Sequence, residues 1–183
     1  TTLPDKSLGA ARDRVREIAA SHSVFHWELA FPEVFLDASG RPHADSGFDA
    51  VIGNPPWDML RADTGSSTDR SDARSMTAAT LKFCRSSHAY QHQGRGHPNS
   101  YQLFLERALA LLKPDGRVGL ILPSGIATDH GSAALRRHLF DRTTIDRWLG
   151  FDNRARIFPI HRSVRFVVLS ATNGGRTDAL RFR

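Results

Sequence analysis

The 183-residue chain is 40% hydrophobic and 24% charged, a balance that suits one globular domain with a sizeable core. It has no run of about 18 apolar residues, its start at Thr1-Thr2-Leu3-Pro4-Asp5-Lys6 lacks the apolar core of a signal peptide, and its single cysteine, Cys84, excludes an internal disulfide framework. A soluble, cytoplasmic protein with no membrane partner is therefore expected. The net charge is +6, and of the 25 basic residues only Lys6, Lys82 and Lys113 are lysine. That leaves guanidinium as almost all of the positive surface, the group best matched to bidentate phosphate contacts, although a G+C-rich genome accounts for the same bias.

In chain order, Leu8, Ala11, Val15 and Ile18 recur at helical spacing and predict an amphipathic helix over about Ser7 to Ala20. Val24 to Phe35 reads as an aromatic-rich extended segment interrupted by Pro32, followed by a polar turn at Ser39-Gly40-Arg41-Pro42. Phe48-Asp49-Ala50-Val51-Ile52-Gly53 predicts a strand. From Asp58 to Pro98 the composition turns to Ser, Thr, Arg, Asp and His, which predicts a long insertion, mobile or only partly helical around Ala78 to Phe83.

Order returns at Asn99, where Gln102 three residues on makes a capping-box-like start. Tyr101, Phe104, Leu105, Ala108, Leu111 and Leu112 then form a wide apolar stripe. Lys113-Pro114-Asp115-Gly116 is a helix stop. Arg117 to Pro123 reads as a strand too continuously apolar for a sheet wetted on one face. A helix over about Ser132 to Phe140, a strand over about Thr144 to Phe151 and a strand from Val164 to Ser170 complete the pattern, and Ala179 to Arg183 reads as the start of another strand. Strands separated by helices imply a mostly parallel sheet built by crossovers.

The most informative residues are Asn54-Pro55-Pro56-Trp57, at the end of the first predicted strand. Two adjacent prolines fix φ and remove two N–H donors, so the carbonyls are held in one orientation and Asn54 is pushed out of the helical region. Such a loop at the carboxyl edge of a sheet stands where open α/β folds bind ligands. An exocyclic amine or a side-chain amide is a poor nucleophile, because its lone pair is delocalised. The Asn54 side-chain oxygen and the Pro55 carbonyl are two acceptors able to bind the amine hydrogens and favour a tetrahedral nitrogen, which is the requirement of methyl transfer to nitrogen. Trp57 offers a flat wall for a planar base, a contact worth roughly 1 to 3 kcal/mol. The plainer reading is a tight turn with Trp57 in the core.

Other residues carry weaker signals. Cys84, His88, His92 and His97 make a Cys-x3-His-x3-His-x4-His series able to line a helix face, but the spacing matches no common zinc module, so no metal is expected. Arg136, Arg137, Arg142 and Arg147 are candidates for a phosphate-facing patch, and His161 for a substrate contact; scattered solvated arginines and a turn histidine are the simpler readings. Asp49 and Asp58 flank the Asn-Pro-Pro loop.

Taken together, the blocks Phe31-Pro32-Glu33-Val34-Phe35, Phe48 to Trp57, Phe104 to Leu109, Gly116 to Pro123, Ile157-Phe158-Pro159 and Arg165 to Leu169 resemble, in order, the amino-methylating (N6-adenine) DNA methyltransferases of type IIG restriction-modification and phage-exclusion systems. The resemblance implies a Rossmann-like S-adenosylmethionine-dependent methyltransferase fold. It implies that Asn54 and Pro55 bind the target amine within the catalytic loop Asn54, Pro55, Pro56 and Trp57, that Trp57 stacks on a flipped adenine, and that Phe158 lies against the same base. It further implies S-adenosyl-L-methionine as cofactor, with double-stranded DNA and restriction or exclusion subunits as partners. The family's glycine-rich cofactor loop and its preceding acid are not recognisable. Residues 1–183 are therefore expected to be a partial catalytic domain with N-terminal strands missing and an insertion at about 58–98, cofactor residues unknown, and weak donor binding and no activity in isolation. The same loop also occurs in methyltransferases acting on protein glutamine or RNA bases, and the missing loop admits a non-catalytic DNA-binding module.

Overall fold

The structure, a computed structural model, describes residues 5–22, 25–60, 69–94 and 98–180. It falls into two compact units, Thr1–Ser46 and Gly47–Arg183.

The first unit holds helix α1 (Asp5–His22) and two one-turn helices, α2 (Trp27–Ala30) and α3 (Pro32–Phe35). The expected first helix is present, but two members of its apolar stripe, Val15 and Ile18, are exposed. The extended segment expected around Val24 to Phe35 is instead helical in two short turns over its described part. Pro32 explains the break: it ends α2, because it cannot donate, and opens α3 at a position whose N–H needs no partner. Trp27 stacks on Phe31 at 5.9 Å, with Phe25 edge-on to Trp27 at 4.9 Å. The polar turn forms as expected. Asp37 accepts hydrogen bonds from the Ser39 hydroxyl (2.6 Å), Ser39 N–H (2.8 Å) and Arg41 N–H (3.0 Å), which together hold its carboxyl below the usual value.

The second unit contains β1 (Phe48–Gly53), α4 (Asp69–Ser86), α5 (Ser100–Ala110), β2 (Leu112–Pro123), α6 (Gly125–Thr128), α7 (Ala133–Arg142), β3 (Thr143–Asp152) and β4 (Arg165–Asn173). The four strands form one sheet in the order β1-β2-β4-β3. β1 is parallel to β2, while β4 is antiparallel to both β2 and β3, so three strands run one way and β4 runs against them. The connections dictate this. A helical crossover through α5 returns β2 parallel to β1, whereas the loop 153–164 folds β4 straight back on β3.

Helix α5 begins as the sequence requires: Asn99 and Gln102 form a reciprocal capping box. The helix stop at Lys113 to Gly116 is drawn into β2, where register jumps from Phe48↔Leu112 to Ala50↔Arg117 and Asp115 takes a positive φ. Chain entry to β1 is tight. Gly47 has φ +124, and a Cβ there would lie 2.6 Å from the Leu112 carbonyl carbon, 2.8 Å from the Leu111 oxygen and nearer still to the Lys113 nitrogen. Only glycine fits.

One face of the sheet carries Val118, Leu120 and Leu122 of β2, Val167, Leu169 and Ala171 of β4 and Trp148 of β3. It packs with Tyr101, Leu105, Ala108 and Leu109 of α5 and Leu135 and Leu139 of α7. On the opposite face Gly119, Ile121 and Pro123 are half-buried, so β2 is not fully covered on both sides as its run of apolar residues suggested. Among the described residues β1 pairs on one side only, and Ile52 is 84% exposed. The sheet is thus open at β1. The helix expected around Ala78 to Phe83 is longer than that: Asp69–Ser86 is one 18-residue helix, since Ala73, Ala78, Ala79, Leu81 and Lys82 are strong helix formers. The strand expected at Ala179 to Arg183 is not formed at 179–180, and its last three residues lie outside the described ones.

Candidate active site

Strand register gathers the candidate residues at one edge of the sheet. β1 ends at Gly53, paired with Leu120; β2 ends at Pro123, paired with Phe166; and Phe166 also pairs with Phe151 near the end of β3. The Asn-Pro-Pro-Trp loop, the end of β2 and the loop between β3 and β4 therefore share the carboxyl edge of the three codirectional strands.

Within the loop, Asn54 and Pro56 are exposed, Pro55 is buried and Trp57 is half-buried. The Trp57 indole N–H points to the Ile121 carbonyl across 3.4 Å, a long contact that lays the ring along β2. Its own carbonyl accepts a hydrogen bond from the Asn99 side-chain amide (3.1 Å), while Ser100 N–H reaches the Asp58 carbonyl (2.8 Å) and Leu60 N–H the Pro98 carbonyl (3.1 Å). Asn99 thus does two jobs, capping α5 and fixing the backbone after Trp57. The sequence signalled only the first.

Phe158 meets Trp57 edge-on at 6.0 Å and Phe166 edge-on at 5.1 Å, and Phe166 stacks on Phe151 at 5.3 Å. Phe158 is half-buried. Its loop is held by Asn153, which is fully buried. Asn153 donates from its side-chain nitrogen to the Phe158 and Ile160 carbonyls (3.0 Å each), and its side-chain oxygen accepts from Phe158 N–H (3.0 Å). A further backbone bond runs from Asn153 N–H to the Val164 carbonyl (3.0 Å). Asn153, Phe151 and Phe166 were not singled out from the sequence. An asparagine after a strand reads as an ordinary turn residue, and nothing local says that its amide organises the eight residues beyond it.

Several other candidates lie elsewhere. Asp49 sits in the first half of β1, away from the loop, where its ion pair with Lys113 at 2.5 Å holds its carboxyl below the usual range, through the hydrogen bond first and the charge second. Asp58 contributes its backbone carbonyl, as above. Arg136 is occupied structurally, donating to the carbonyls of Ile126 (2.9 Å) and Asp129 (3.3 Å). Of the Cys/His series, Cys84 is buried and its thiol is pushed up by that burial; His92 instead stacks on His138 at 3.8 Å; His97 lies outside the described residues. No group of three His, Cys, Asp or Glu suited to a metal occurs among the described residues. Hollows of about 580 and 540 Å³ open along β3 and beside α5, and neither includes Asn54, Trp57 or Phe158. The aromatic corner, with Trp57 and Phe158 both half-buried, lies over the ends of β2, β4 and β3. No helix among the described residues is long and apolar enough to cross a membrane.

A family model described as Eco57I restriction-modification methylase matches residues 5–158. Among curated proteins there is no match. Among solved structures, a modification subunit assigned to a type I restriction enzyme from Vibrio vulnificus YJ016 superposes with a TM-score of 0.51 at 15% identity, covering 76% of this chain and 26% of that one. The M protein of the type I restriction enzyme EcoKI gives 0.47 at 18% identity, covering 74% and 24%. A protein from Listeria monocytogenes assigned as a class I S-adenosylmethionine-dependent methyltransferase gives 0.47 at 16% identity, covering 74% and 36%. The chain spans between 24% and 36% of the length of these structures. The likeness to the Vibrio subunit shows that the two share a fold, here an α/β arrangement with a mixed sheet of four strands.

Proposed function

The chain belongs to the Eco57I restriction-modification methylase family, and from that premise we propose that it is the catalytic-loop and target-base half of a DNA adenine-N6 methyltransferase. The observation that carries the reading is the aromatic corner. Trp57, fixed to β2 and Asn99, and Phe158, fixed by Asn153, meet edge-on at the sheet edge where the exposed Asn54 also lies; in this reading a planar base docks there against the two rings, with Asn54 and Pro55 as its acceptors.

In this reading Asn54 Oδ1 and the Pro55 carbonyl each accept one hydrogen of the adenine amine. Two acceptors so placed draw the nitrogen toward tetrahedral geometry and localise its lone pair, with no ionised base needed to start the reaction. Trp57 stacks on the base and Phe158 presses on it, offsetting part of the few kcal/mol that turning a base out of duplex DNA costs. The burial of Pro55 between exposed neighbours anchors the loop while leaving Asn54 at the surface.

S-adenosyl-L-methionine, when bound, supplies the electrophilic methyl group. The described residues fit the acceptor side of that reaction and not, by themselves, the donor side. The turns after β1 and β2 carry Asn54-Pro55-Pro56 and Ser124-Gly125 rather than a glycine-rich loop, and the β1 edge, with Ile52 turned to solvent, has room for further strands. The test is methyl transfer to duplex DNA by a longer polypeptide that includes this segment, with the product nucleoside identified. Asn54→Ala should lower kcat by about 100-fold or more without unfolding the protein, because the side chain is exposed. Methyl groups on glutamine or on RNA bases instead of adenine N6, or full activity in the variant, would refute the reading.

A further inference from the structure

The loop that carries Phe158 holds a concentration of charge that the amine-binding chemistry does not use. Residues 152–165 contain Arg154, Arg156, Arg162 and Arg165 against one acid, Asp152, a net charge of +3 and half of the whole chain's +6. All four arginines are exposed. Arg154 is partly neutralised, with its Nε 3.4 Å from the Asp152 carboxylate. Arg156, Arg162 and Arg165 have no carboxylate partner among the described residues. They also differ from Arg136, whose guanidinium is spent on the carbonyls of Ile126 and Asp129.

These three guanidiniums stand on a fixed frame. Asn153 ties together the Phe158 and Ile160 backbone, the Arg156 N–H donates to the Asn153 carbonyl (2.9 Å), and the Val164 N–H donates to the His161 carbonyl (3.1 Å). Arg156 precedes Phe158 by two residues from a left-handed backbone position (φ 56), and Arg162 follows it by four. Arg165 begins β4, immediately before Phe166. Arg156 and Arg162 therefore flank Phe158 within its own loop, and Arg165 stands at the mouth of β4 with its side chain on the face opposite the Phe166 ring, so positive charge lines the rim of the loop on both faces of the sheet edge. A base turned out of a duplex brings its own sugar and flanking phosphates to the rim of the pocket, where fixed cations are needed and no side chain of the catalytic loop supplies one.

We propose that residues 153–165 form a phosphodiester-binding element for duplex DNA, in which Arg156, Arg162 and Arg165 contact backbone phosphates on either side of the nucleotide whose base lies against Phe158. The proposal rests on the reading of the Asn54 site as the target-base site. It assigns the positioning of the strand to the β3–β4 loop, and not to Arg136, Arg137, Arg142 and Arg147.

The experiment is a salt titration of binding between the 183-residue chain and a fluorescent DNA duplex, read by anisotropy. Each neutralised phosphate contributes about 0.9 to the slope of log K against log salt. Replacing Arg156, Arg162 and Arg165 together by Gln should lower that slope by about 2.7. The corresponding Lys triple, which keeps the charges, should retain the slope and shows that the loop still folds. A control triple on α1, Arg12, Arg14 and Arg16 to Gln, removes the same charge from another exposed surface and should leave the slope nearly unchanged. An unchanged slope in the loop triple, an equal fall in the control, or tighter binding to an RNA duplex than to DNA would overturn the proposal, as would no DNA binding by the parent chain. The reading of the Asn54 site stands or falls separately, on methyl transfer and its loss in Asn54→Ala.

Discussion

Replacing Asn153 by Ala removes the side chain whose hydrogen bonds hold the Phe158 backbone, leaving its ring contacts with Trp57 and Phe166. Three hydrogen bonds of 3.0 Å are lost: two donated to the carbonyls of Phe158 and Ile160, and one accepted from Phe158 N–H. At about 1 kcal/mol net for each, the loss is about 3 kcal/mol, and water reaching the exposed loop brings it toward about 2 kcal/mol. Urea unfolding followed by tryptophan fluorescence measures the total. Hydrogen exchange at Phe158 N–H and at Asn153 N–H locates it. Asn153→Asp separates the parts, since it keeps the acceptor for Phe158 N–H but turns a second oxygen against two carbonyls. Exchange at Phe158 should then stay slow relative to the Ala variant while the loop beyond it loosens. A change under about 0.5 kcal/mol in the Ala variant, small beside the usual worth of one such bond, with exchange at Phe158 unaltered, would refute the assignment of Asn153 as the frame of this loop.

Gly47→Ala combines a positive φ with a clash against the Leu111–Lys113 backbone and should cost about 2 to 4 kcal/mol, read as a fall in the urea midpoint. His138, depressed by burial first and by the facing His92 second, is held below the usual histidine value. The unfolded chain then takes up the proton first as pH falls, so stability should be full above about 6.5 and decline as the pH drops through the folded pKa; His138→Gln should flatten that decline in thermal unfolding. Phe158→Ala should raise KM for duplex DNA more than it lowers kcat if the ring presses on the bound base, and an unchanged KM would argue against that contact. Calorimetric titration with S-adenosyl-L-methionine should show weak or no binding to these 183 residues, and micromolar affinity would mean that the donor site is largely built from them.

The sequence by itself determined most of the local structure of the described residues from Gly47 on. The strand before Asn54, the Asn99/Gln102 capping box, and the helix near Ser132 to Phe140 with the strands around it are written in short-range terms: apolar period, cap chemistry and fixed proline φ. Asn54-Pro55-Pro56-Trp57 was legible for the same reason, because its chemistry needs those residue types in immediate succession. Local signals misread 25–35, where aromatic content suggested extension and Pro32 instead divides two helical turns. They also understated α4, whose helix formers outweigh its polar composition.

Only the tertiary structure decided what depends on residues distant in sequence. The antiparallel insertion of β4 between β2 and β3 follows from which strands pair, and pairing is a contest of burial across the whole sheet that no single window contains. That choice sets Phe166 beside Pro123 and Phe151, so Phe158 comes to rest against Trp57. It likewise turns Asn153 from a turn residue into the frame of a loop, because an amide's worth depends on the carbonyls that folding brings within 3.0 Å of it.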